Sequence, residues 1–570
     1  MSAPASAAER LQQGLTLAQA GRLAQSKGVL ETILGDAEVG GQAHALLGQI
    51  LGAEGRHDLA QKHLGAAIEK NASVPQWHAA LGDCLLSQQR YGEAIAAYRR
   101  AVGIEPRLTA AWFNMGICNR NIGRLPAARQ AFEAALKLEP KAPDILNNLG
   151  SVCFEMNDVE AATDAYAAAA KIDRTNSDLL ANLALCYEAS NRPLEAEQTA
   201  HAALALQTEN GLAILILGRL KMQARDFQSA IELFDRPAGQ ANARLAFSFL
   251  ISKAQCFDRL GDFAAAWQTA QQAHAHNLED AKHQASVQAG FAAVKNNERY
   301  FLESDFQPPD LGRLQEGQAA PVFFIGFPRS GTTLVERMLA HHPDVFAAPE
   351  RTPLGGVFEW LKQQYPRQRY PDMLRHVRPD DLREMRQVYW RWADSQFKTP
   401  KQPVFVDKMP MNILAVGLID AIFPDAKILC ALRDPRDVIL SCYFQDFAQN
   451  PSTSIFNDLS STAEYYGAVM GYWMRMKPAL RPPIHEYRYE DLVADSEKTL
   501  KQIFEFIGLD WRSDSLDYRD GLSGTHISTP SRAEINKPIS DAAIGRWKNY
   551  ADQIETLENA YKQVLQTYYT

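Results

Sequence analysis

One short segment in the second half of the chain combines residue types that suit the binding of an anion. The apolar, β-prone run PVFFIGF at 321–327 predicts a buried strand, PRSGTT at 328–333 a loop, and LVERMLAHH at 334–342 an amphipathic helix. In this arrangement the backbone N–H groups of the loop and the positive end of the helix dipole point at the ligand. Arg329 adds a positive charge, so the segment predicts an anion-binding loop.

This loop differs from a Walker A motif, which needs Gly-x-x-x-x-Gly-Lys-Ser/Thr. Gly326 and Gly331 have the right spacing, but Thr332 occupies the lysine position and the cation comes earlier, as Arg329. A P-loop kinase is therefore disfavoured. The pattern P-R-S-G-T-T-L resembles the 5′-phosphosulfate loop of sulfotransferases. The resemblance implies that the donor, 3′-phosphoadenosine 5′-phosphosulfate (PAPS), is bound by Arg329, Ser330, Gly331, Thr332 and Thr333.

A second segment, AKILCALRDPRDVILSCYFQDF at 426–447, predicts another buried strand, a turn and a helix. Arg433 lies at the strand end and Ser441 follows eight residues later. In sulfotransferases an arginine and a serine at this spacing hold the donor 3′-phosphate, so the resemblance implies that role here. Chemically, this pairs a guanidinium fork with a hydroxyl donor. The alternative is a surface arginine and a helix-start serine.

The stretch RSGTTLVERMLAHHPDVFAAPERTPL at 329–354 resembles the tyrosylprotein sulfotransferases and their bacterial relatives fused to tetratricopeptide repeats. The resemblance implies that Glu350 is the catalytic base; a solvated loop carboxylate is the alternative. It also implies that Lys408, in PVFVDKMPMN at 403–412, stabilises the transferring sulfonate. Together with Arg329, these two residues form the implied catalytic set.

Two later segments complete the resemblance. IHEYRYEDLV at 484–493 resembles a strand end that implies a position near the adenosine for Tyr489. ISTPSRAEINKPISDAAIGRWKNY at 527–550 resembles a late loop that closes over the nucleotide, which implies donor contacts for Ser531 and Lys537.

The chain also departs from the protein-tyrosine enzymes. Gln445 stands where they carry a second 3′-phosphate arginine, and Gly524 lies near the position of their catalytic serine. The pair His341–His342 could supply a histidine base, but helix-terminal histidines are common. A sulfuryl group carries less charge than a phosphoryl group, so we expect no metal, and 3′-phosphoadenosine 5′-phosphate (PAP) is the expected product.

The first half of the chain repeats with a period of 34 residues. Small residues recur at that step in three series: Gly14, Gly48, Gly82, Gly116, Gly150, Ala184 and Gly218; Ala60, Ala94, Ala128, Ala162, Ala196 and Ala230; Ala67, Ala101, Ala135, Ala169 and Ala203. This pattern predicts helix pairs whose backbones approach closely. With Pro106 and Pro140 it resembles the tetratricopeptide repeat, in seven units in register and an eighth shifted by two residues around Ala254, Gly261 and Ala266.

Such an array implies a solenoid with a concave surface that binds peptides or partner proteins. Asn114, Asn147, Asn148 and Asn182 recur near the start of the first helix of a unit and suit hydrogen bonds to an extended peptide. The alternative is a role in turns and helix starts.

Cysteine usage and composition limit the remaining possibilities. Cys84, Cys118 and Cys186 share one repeat position and Cys153 lies next to it, so we expect small core residues rather than metal ligands. The odd count of 7 cysteines favours a reducing, cytoplasmic compartment. The net charge of -8 argues against nucleic acid as the main partner. We see no apolar run of membrane-spanning length and no signal pattern in the sequence, so we expect no membrane span.

These patterns predict an α-helical tetratricopeptide solenoid at 1–280, a connecting segment at 281–319, and an α/β P-loop-like domain with a parallel central sheet, the sulfotransferase fold, at 320–570. The predicted activity is sulfonate transfer from PAPS to an acceptor hydroxyl, with tyrosine of a peptide or protein selected by the repeats as the first candidate. Carbohydrate, lipid and small phenol remain open as acceptors. The alternative function is an interaction scaffold with an inactive or nucleotide-sensing domain, and the sequence does not give the oligomeric state.

Overall fold

Helix pairs follow the 34-residue period of the sequence. The computed structural model describes residues 5–240, 242–278, 281–303, 319–348, 350, 353–397, 402–447, 453–517 and 539–569. It divides into two compact units, the first comprising Met1–Glu188 with Leu194–Asn210, and the second Ala189–Pro193 with Gly211–Thr570.

The first unit holds six helix pairs. The helices are α1 (Ala7–Gln19), α2 (Leu23–Glu31), α3 (Gly40–Ala53), α4 (His57–Lys70), α5 (Pro75–Ser87), α6 (Tyr91–Ile104), α7 (Thr109–Asn121), α8 (Leu125–Leu138), α9 (Pro143–Glu155), α10 (Val159–Ile172), α11 (Ser177–Ala189) and α12 (Pro193–Leu206). Helices α6 and α8 end two residues before Pro106 and Pro140, because proline cannot donate the next helical hydrogen bond.

The glycine series lies where the two helices of a pair approach. A Cβ built on Gly82 would lie 2.5 Å from the Tyr98 ring, and one on Gly116 would lie 2.6 Å from the Phe132 ring. The partner is sixteen residues ahead in both cases, and Gly14, Gly48, Gly150 and Gly218 repeat the pattern. A larger side chain would overpack these contacts, which confirms the predicted reason for the small residues.

The repeated asparagines lie inside the first helices of their units. Asn114 donates to Asp83 of the preceding unit at 2.9 Å, and Asn182 donates to Asn147 at 3.2 Å. Asn114, Asn147 and Asn182 therefore join neighbouring repeats, whereas Asn148 donates to the carbonyl of Asp144 in its own helix at 2.9 Å. These positions inside helices contradict the alternative of turn and helix-start roles. A role in peptide binding stays a prediction.

The second unit begins with five helices, four of which continue the repeats. They are α13 (Gly211–Gln223), α14 (Phe227–Phe234), α15 (Ala243–Leu260), α16 (Phe263–Leu278) and α17 (Ala281–Phe301). The first two form the seventh pair in register, and α15 with α16 form the longer, shifted eighth pair, as the sequence predicts.

An α/β region follows in the same unit. Its strands are β1 (Val322–Gly326), β2 (Val345–Ala348), β3 (Val404–Lys408), β4 (Lys427–Leu432) and β5 (Ile484–Arg488). Its α-helices are α18 (Thr332–Ala340), α19 (Leu354–Gln364), α20 (Pro379–Phe397), α21 (Val416–Ile422), α22 (Pro435–Tyr443), α23 (Leu459–Met476), α24 (Tyr489–Ala494), α25 (Ser496–Ile507), α26 (Ala551–Ile554) and α27 (Glu558–Tyr568). Short 3₁₀ helices lie at Pro237–Gln240, Asp372–His376, Pro410–Ala415, Ser454–Asn457, Lys477–Ala479, Ser513–Asp517, Asp541–Ala543, Arg546–Tyr550 and Glu555–Leu557.

The five described strands form one parallel sheet in the order β2-β3-β1-β4-β5. Strand β1 is central and buried on both faces: Phe323 and Ile325 pack into one apolar cluster, Val322 and Phe324 into another. Because the chain crosses from β3 on one side of β1 to β4 on the other, a crevice opens at the carboxyl edge beside β1. The structure confirms the predicted helical repeats followed by a parallel α/β domain.

The eighth repeat pair packs against the end of α22. His274 contacts the carbonyl oxygen of Tyr443 at 2.8 Å and stacks on its ring, with centroids 4.2 Å apart. Gln255 donates to the carbonyl of Phe444 at 2.6 Å. Asp258 accepts hydrogen bonds from Tyr550 at 2.7 Å. These repeat helices thus supply partners for carbonyl groups that the end of α22 leaves without helical partners.

The cysteines are free and buried at all seven positions. Burial raises the pKa of the Cys118 thiol to about 11 and that of Cys186 to about 12. The prediction of buried repeat-core residues is therefore confirmed. Among the helices that the structure describes, none combines the length and apolar character needed to cross a membrane.

Candidate functional site

Every strand of the sheet delivers a candidate residue to the same carboxyl edge. The loop with Arg329 follows β1, Glu350 follows β2, Lys408 ends β3, Arg433 follows β4 and Tyr489 follows β5. Since parallel strands end at one edge, residues distant in sequence come together there.

The loop between β1 and α18 has the backbone of an anion-binding turn. Arg329 and Gly331 have φ angles of 71° and 87°, in the left-handed region that most side chains avoid. Gly331 is also the N-cap of α18, and a Cβ there would lie 2.5 Å from the Tyr489 ring. The N–H groups at the start of α18 have no helical partners, which suits an anion. The remaining loop candidates are buried: Ser330, Thr332 and Thr333.

On one side of this loop the β4 and β5 ends bring together Arg433, Ser441 and Tyr489. Arg329 Nε donates to Ser441 Oγ at 2.9 Å, and Arg433 Nη1 donates to the carbonyl of Arg329 at 2.9 Å. The Arg433 guanidinium lies 4.6 Å from the centre of the Tyr489 ring, a cation–π contact. Arg433 is 7% exposed, and its buried Nε lacks a hydrogen-bond partner among the described residues. A buried guanidinium nitrogen of this kind is suited to a ligand oxygen.

The last residues of the late loop at 527–550 are bound to α22, the helix that carries Ser441. Asp437 of α22 accepts from the backbone N–H groups of Gly545 at 2.7 Å and of Trp547 at 2.9 Å. Burial raises the pKa of Asp437, against the opposing effect of Arg433 and those N–H groups. Arg436 stacks 4.0 Å from the centre of the Trp547 ring. The predicted contacts Ser531 and Lys537, and Gly524, lie outside the described residues.

On the other side of the loop, Lys408 lies between two carboxylates. Its Nζ is 2.6 Å from Glu350 Oε1 and 2.8 Å from Glu336 Oε2. Burial disfavours the charged ammonium, but these two carboxylates outweigh it and raise the pKa of Lys408. The family resemblance does not point to Glu336. The one sequence signal is a charged residue one helical turn after Thr332 and Thr333, between the apolar residues of α18.

Asp407 precedes Lys408 and makes a separate set of contacts, because neighbouring strand residues point to opposite faces. It is fully buried and accepts from the Tyr389 hydroxyl at 2.7 Å. Burial raises the pKa of Asp407 to about 7, although the Tyr389 hydrogen bond opposes this shift.

Two weaker candidates have local roles in the structure. His342 Nδ1 accepts from the backbone N–H of Asp344 at 3.2 Å, and its ring packs on Phe504 with centroids 5.5 Å apart. Gln445, at the position of the missing arginine, donates its backbone N–H to Cys442 in the turn after α22.

Family models match segments in both halves of the chain. Residues 321–513 match the model of the sulfotransferase family, and residues 215–280 match a tetratricopeptide repeat model. Residues 5–247 match the model of the C-terminal domain of cilia and flagella-associated protein 70.

Two curated relatives resemble the chain over part of its length. An uncharacterized protein of Aquifex aeolicus (strain VF5) is 28% identical over 255 residues, which is 43% of this chain and 33% of that protein. The protein-tyrosine sulfotransferase of Drosophila melanogaster is 25% identical over 252 residues, 40% of this chain and 47% of that protein. The chain thus matches about a third to a half of the length of these relatives.

A solved structure from a functional characterization of pilF of Pseudomonas aeruginosa is 20% identical, with a TM-score of 0.32, and covers 35% of this chain and 92% of that one. The family matches, together with the helix pairs and the parallel sheet, show that the chain combines tetratricopeptide repeats with a sulfotransferase-family domain.

Proposed function

We propose that this protein transfers a sulfonate group from PAPS to an acceptor hydroxyl, with tyrosine of a peptide or protein as the first acceptor to test. The observation that carries the proposal is the arrangement around the Arg329 loop. A guanidinium and hydroxyl pair, Arg433 with Ser441, lies on one side of it, and an ammonium–carboxylate pair, Lys408 with Glu350, on the other.

The residues of this edge fit a nucleotide donor with two anionic groups. The buried Arg433 Nε offers a free donor atom, and Gly331, which lacks a Cβ, lets the Tyr489 ring approach the loop closely. Arg433 and Ser441 would hold the 3′-phosphate, and the loop with Arg329 would hold the phosphosulfate. Tyr489, which stacks against Arg433, offers a flat surface for the adenosine.

The chemistry of this site follows from charge. PAPS supplies a sulfonate on a phosphate leaving group, and sulfonate transfer, like phosphoryl transfer, depends on positioning and electrostatic stabilisation. Lys408 and Arg329 would neutralise negative charge on the sulfonate oxygens and the departing phosphate. Glu350, with 28% of its side chain exposed, is accessible to accept the proton of the acceptor hydroxyl.

Two observations support a peptide or protein acceptor. The relative in Drosophila melanogaster is named a protein-tyrosine sulfotransferase, and tetratricopeptide arrays bind peptides on their concave surface. The repeated asparagines Asn114, Asn147 and Asn182 are the first candidates to bind the backbone of the acceptor peptide. The free cysteines support a reducing compartment, and we propose the cytoplasm.

The test is to incubate the full-length protein with PAPS and two peptides that differ only in tyrosine or phenylalanine, beside a glycan and a small phenol. Mass spectrometry then reads the added sulfonate. We expect it on the tyrosine peptide alone. Sulfonation of the glycan or phenol only would retain the reaction and replace the acceptor. Binding of PAP without any transfer would favour the nucleotide-sensing scaffold, and absence of PAP binding at micromolar concentration would contradict the proposal.

A further inference from the structure

Lys408 has more negative partners than its charge requires. One ammonium faces two carboxylates, Glu336 and Glu350, each within ion-pair distance. The Lys408 side chain has 0% exposure, so solvent does little to compensate its charge. A buried ammonium without a carboxylate partner is strongly unfavourable, so one carboxylate beside Lys408 is expected. The second carboxylate needs a separate explanation.

The two carboxylates differ in what can reach them. Glu336 stands in the middle of α18, with 7% of its side chain exposed. Glu350 stands after the end of β2 and is four times as exposed, at 28%. An acceptor hydroxyl can therefore approach Glu350, whereas Glu336 is enclosed by the protein.

The proposed reaction changes the charge of only one of these carboxylates. The acceptor oxygen forms a bond to sulfur while the bond between sulfur and the phosphate oxygen breaks. That phosphate oxygen keeps the electron pair, and the acceptor proton goes to Glu350. Protonated Glu350 no longer compensates Lys408, and at that moment Glu336 is the remaining protein anion within ion-pair distance among the described residues.

We propose that Glu336 is a positioning residue, which holds Lys408 at the sheet edge so that Glu350 can leave the lysine and take the acceptor proton. This inference rests on the proposed function. It divides the roles of the carboxylates: Glu350 reacts, and Glu336 acts through Lys408.

A kinetic experiment separates the two roles. In Glu336→Gln, which keeps the shape but removes the charge, we expect kcat to fall about 10- to 100-fold, the range seen when the partner that orients a metal ligand is removed. The Kd for PAP, measured by calorimetry, should stay within about 2-fold, because Glu336 makes no donor contact in this scheme. Glu336→Asp, which keeps the charge, should recover part of kcat. The matched control is Glu359→Gln on α19, where the carboxylate pairs with Lys362 at the surface.

Unchanged kcat in Glu336→Gln would overturn the inference, as would an equal loss in Glu336→Asp. Loss of PAP binding together with kcat would also overturn it, because it would indicate general damage to the site.

A second measurement does not require sulfonate transfer. Because the carboxylates raise the pKa of Lys408, removal of Glu336 increases the neutral amine fraction, about 10-fold for each pKa unit lost. The pKa of Lys408, measured by NMR titration of its side-chain Cε resonance, should therefore be lower in Glu336→Gln than in the wild type or Glu359→Gln. Equal pKa values would show that Glu336 does not hold Lys408. A lowered pKa in a protein whose wild type transfers no sulfonate would instead contradict only the proposed function.

Discussion

The two sides of the sheet edge hold their positive charges in different ways. On the β4–β5 side, Arg433 is held by the carbonyl oxygens of Arg329 and Ala543 and by the ring of Tyr489, all of them uncharged partners. On the β2–β3 side, Lys408 is held by two carboxylates. The first arrangement fixes the direction of a guanidinium with no carboxylate at ion-pair distance among the described residues, although Asp437 and Glu490 lie within its electrostatic reach. The second compensates the ammonium within the protein.

This difference matches two tasks. A site that must bind a polyanion needs positive charge without a competing carboxylate, because a bound carboxylate would be displaced at a cost in affinity. A site that must move a proton needs a carboxylate of its own that is held near the reacting group. The comparison therefore predicts that variants on the β4–β5 side change donor binding, and that variants on the β2–β3 side change turnover.

Glu350→Gln gives the largest expected effect. Loss of the carboxylate that takes the proton should lower kcat about 10²- to 10⁴-fold. The Kd for PAP should hardly change, since PAP carries no acceptor hydroxyl. Turnover with a tyrosine peptide and calorimetry with PAP measure the two quantities. Full activity in this variant would show that Glu350 is not the base.

Arg433→Ala should act mainly on donor binding, in contrast to Glu350→Gln, which should act mainly on kcat. Removal of a buried charged partner of the donor should weaken PAP binding about 30-fold or more, equivalent to about 2 kcal/mol or more. The matched control is Arg383→Ala on α20, where the guanidinium pairs with Asp380 at the surface. If Arg433→Ala binds PAP as tightly as the control does, the β4–β5 side does not hold the donor.

Ser441→Ala should have a smaller effect in the same direction. It removes one neutral hydroxyl, which accepts from Arg329 at 2.9 Å, and a hydrogen bond of this kind is worth about 0.5–1.5 kcal/mol. We expect the Kd for PAP to rise about 2- to 12-fold. Ser460→Ala on the exposed surface of α23 provides the control. A loss as large as that of Arg433→Ala would indicate damage to α22 instead of loss of one contact.

The smallest effect is on stability and concerns Asp407. Its pKa is raised by burial from 3.8 to about 7, so between these pH values the folded protein keeps a proton that the unfolded chain releases. This contribution to stability is present below about pH 4 and is lost as the pH rises toward 7. Asp407→Asn stays neutral, so the melting temperature of the variant relative to the wild type should increase between about pH 5 and pH 7.5. A difference that does not change with pH would contradict the raised pKa.

The local parts of this fold could be predicted from the sequence. The apolar run before PRSGTT predicts β1, and the 34-residue period predicts the helix pairs in register. Both signals are contained in short stretches of chain. The four-residue strand β2 gives no comparable signal, and the strand order with β1 in the centre depends on pairing between distant segments.

The candidate site likewise contains residues that the sequence predicts and contacts that only the folded structure reveals. Spacing and the family resemblance pointed to Arg329, Glu350, Lys408 and Arg433, and the structure brings them to one edge. The ion pair between Glu336 and Lys408 joins residues 72 positions apart, and the helical pattern around Glu336 does not reveal which cation it meets.

The contacts of the eighth repeat pair have a consequence for how the repeat array can change in length. His274 and Gln255 bind carbonyl groups at the end of α22, the helix that carries Ser441. Arg219 and Arg244 pair with Asp446 in the turn that follows. Duplication or deletion of a 34-residue unit upstream of α13 would leave these contacts intact, whereas the same event at α15–α16 would remove them. We therefore expect the array to gain or lose repeat units on its amino-terminal side. The eighth pair should be retained, because it binds the end of α22.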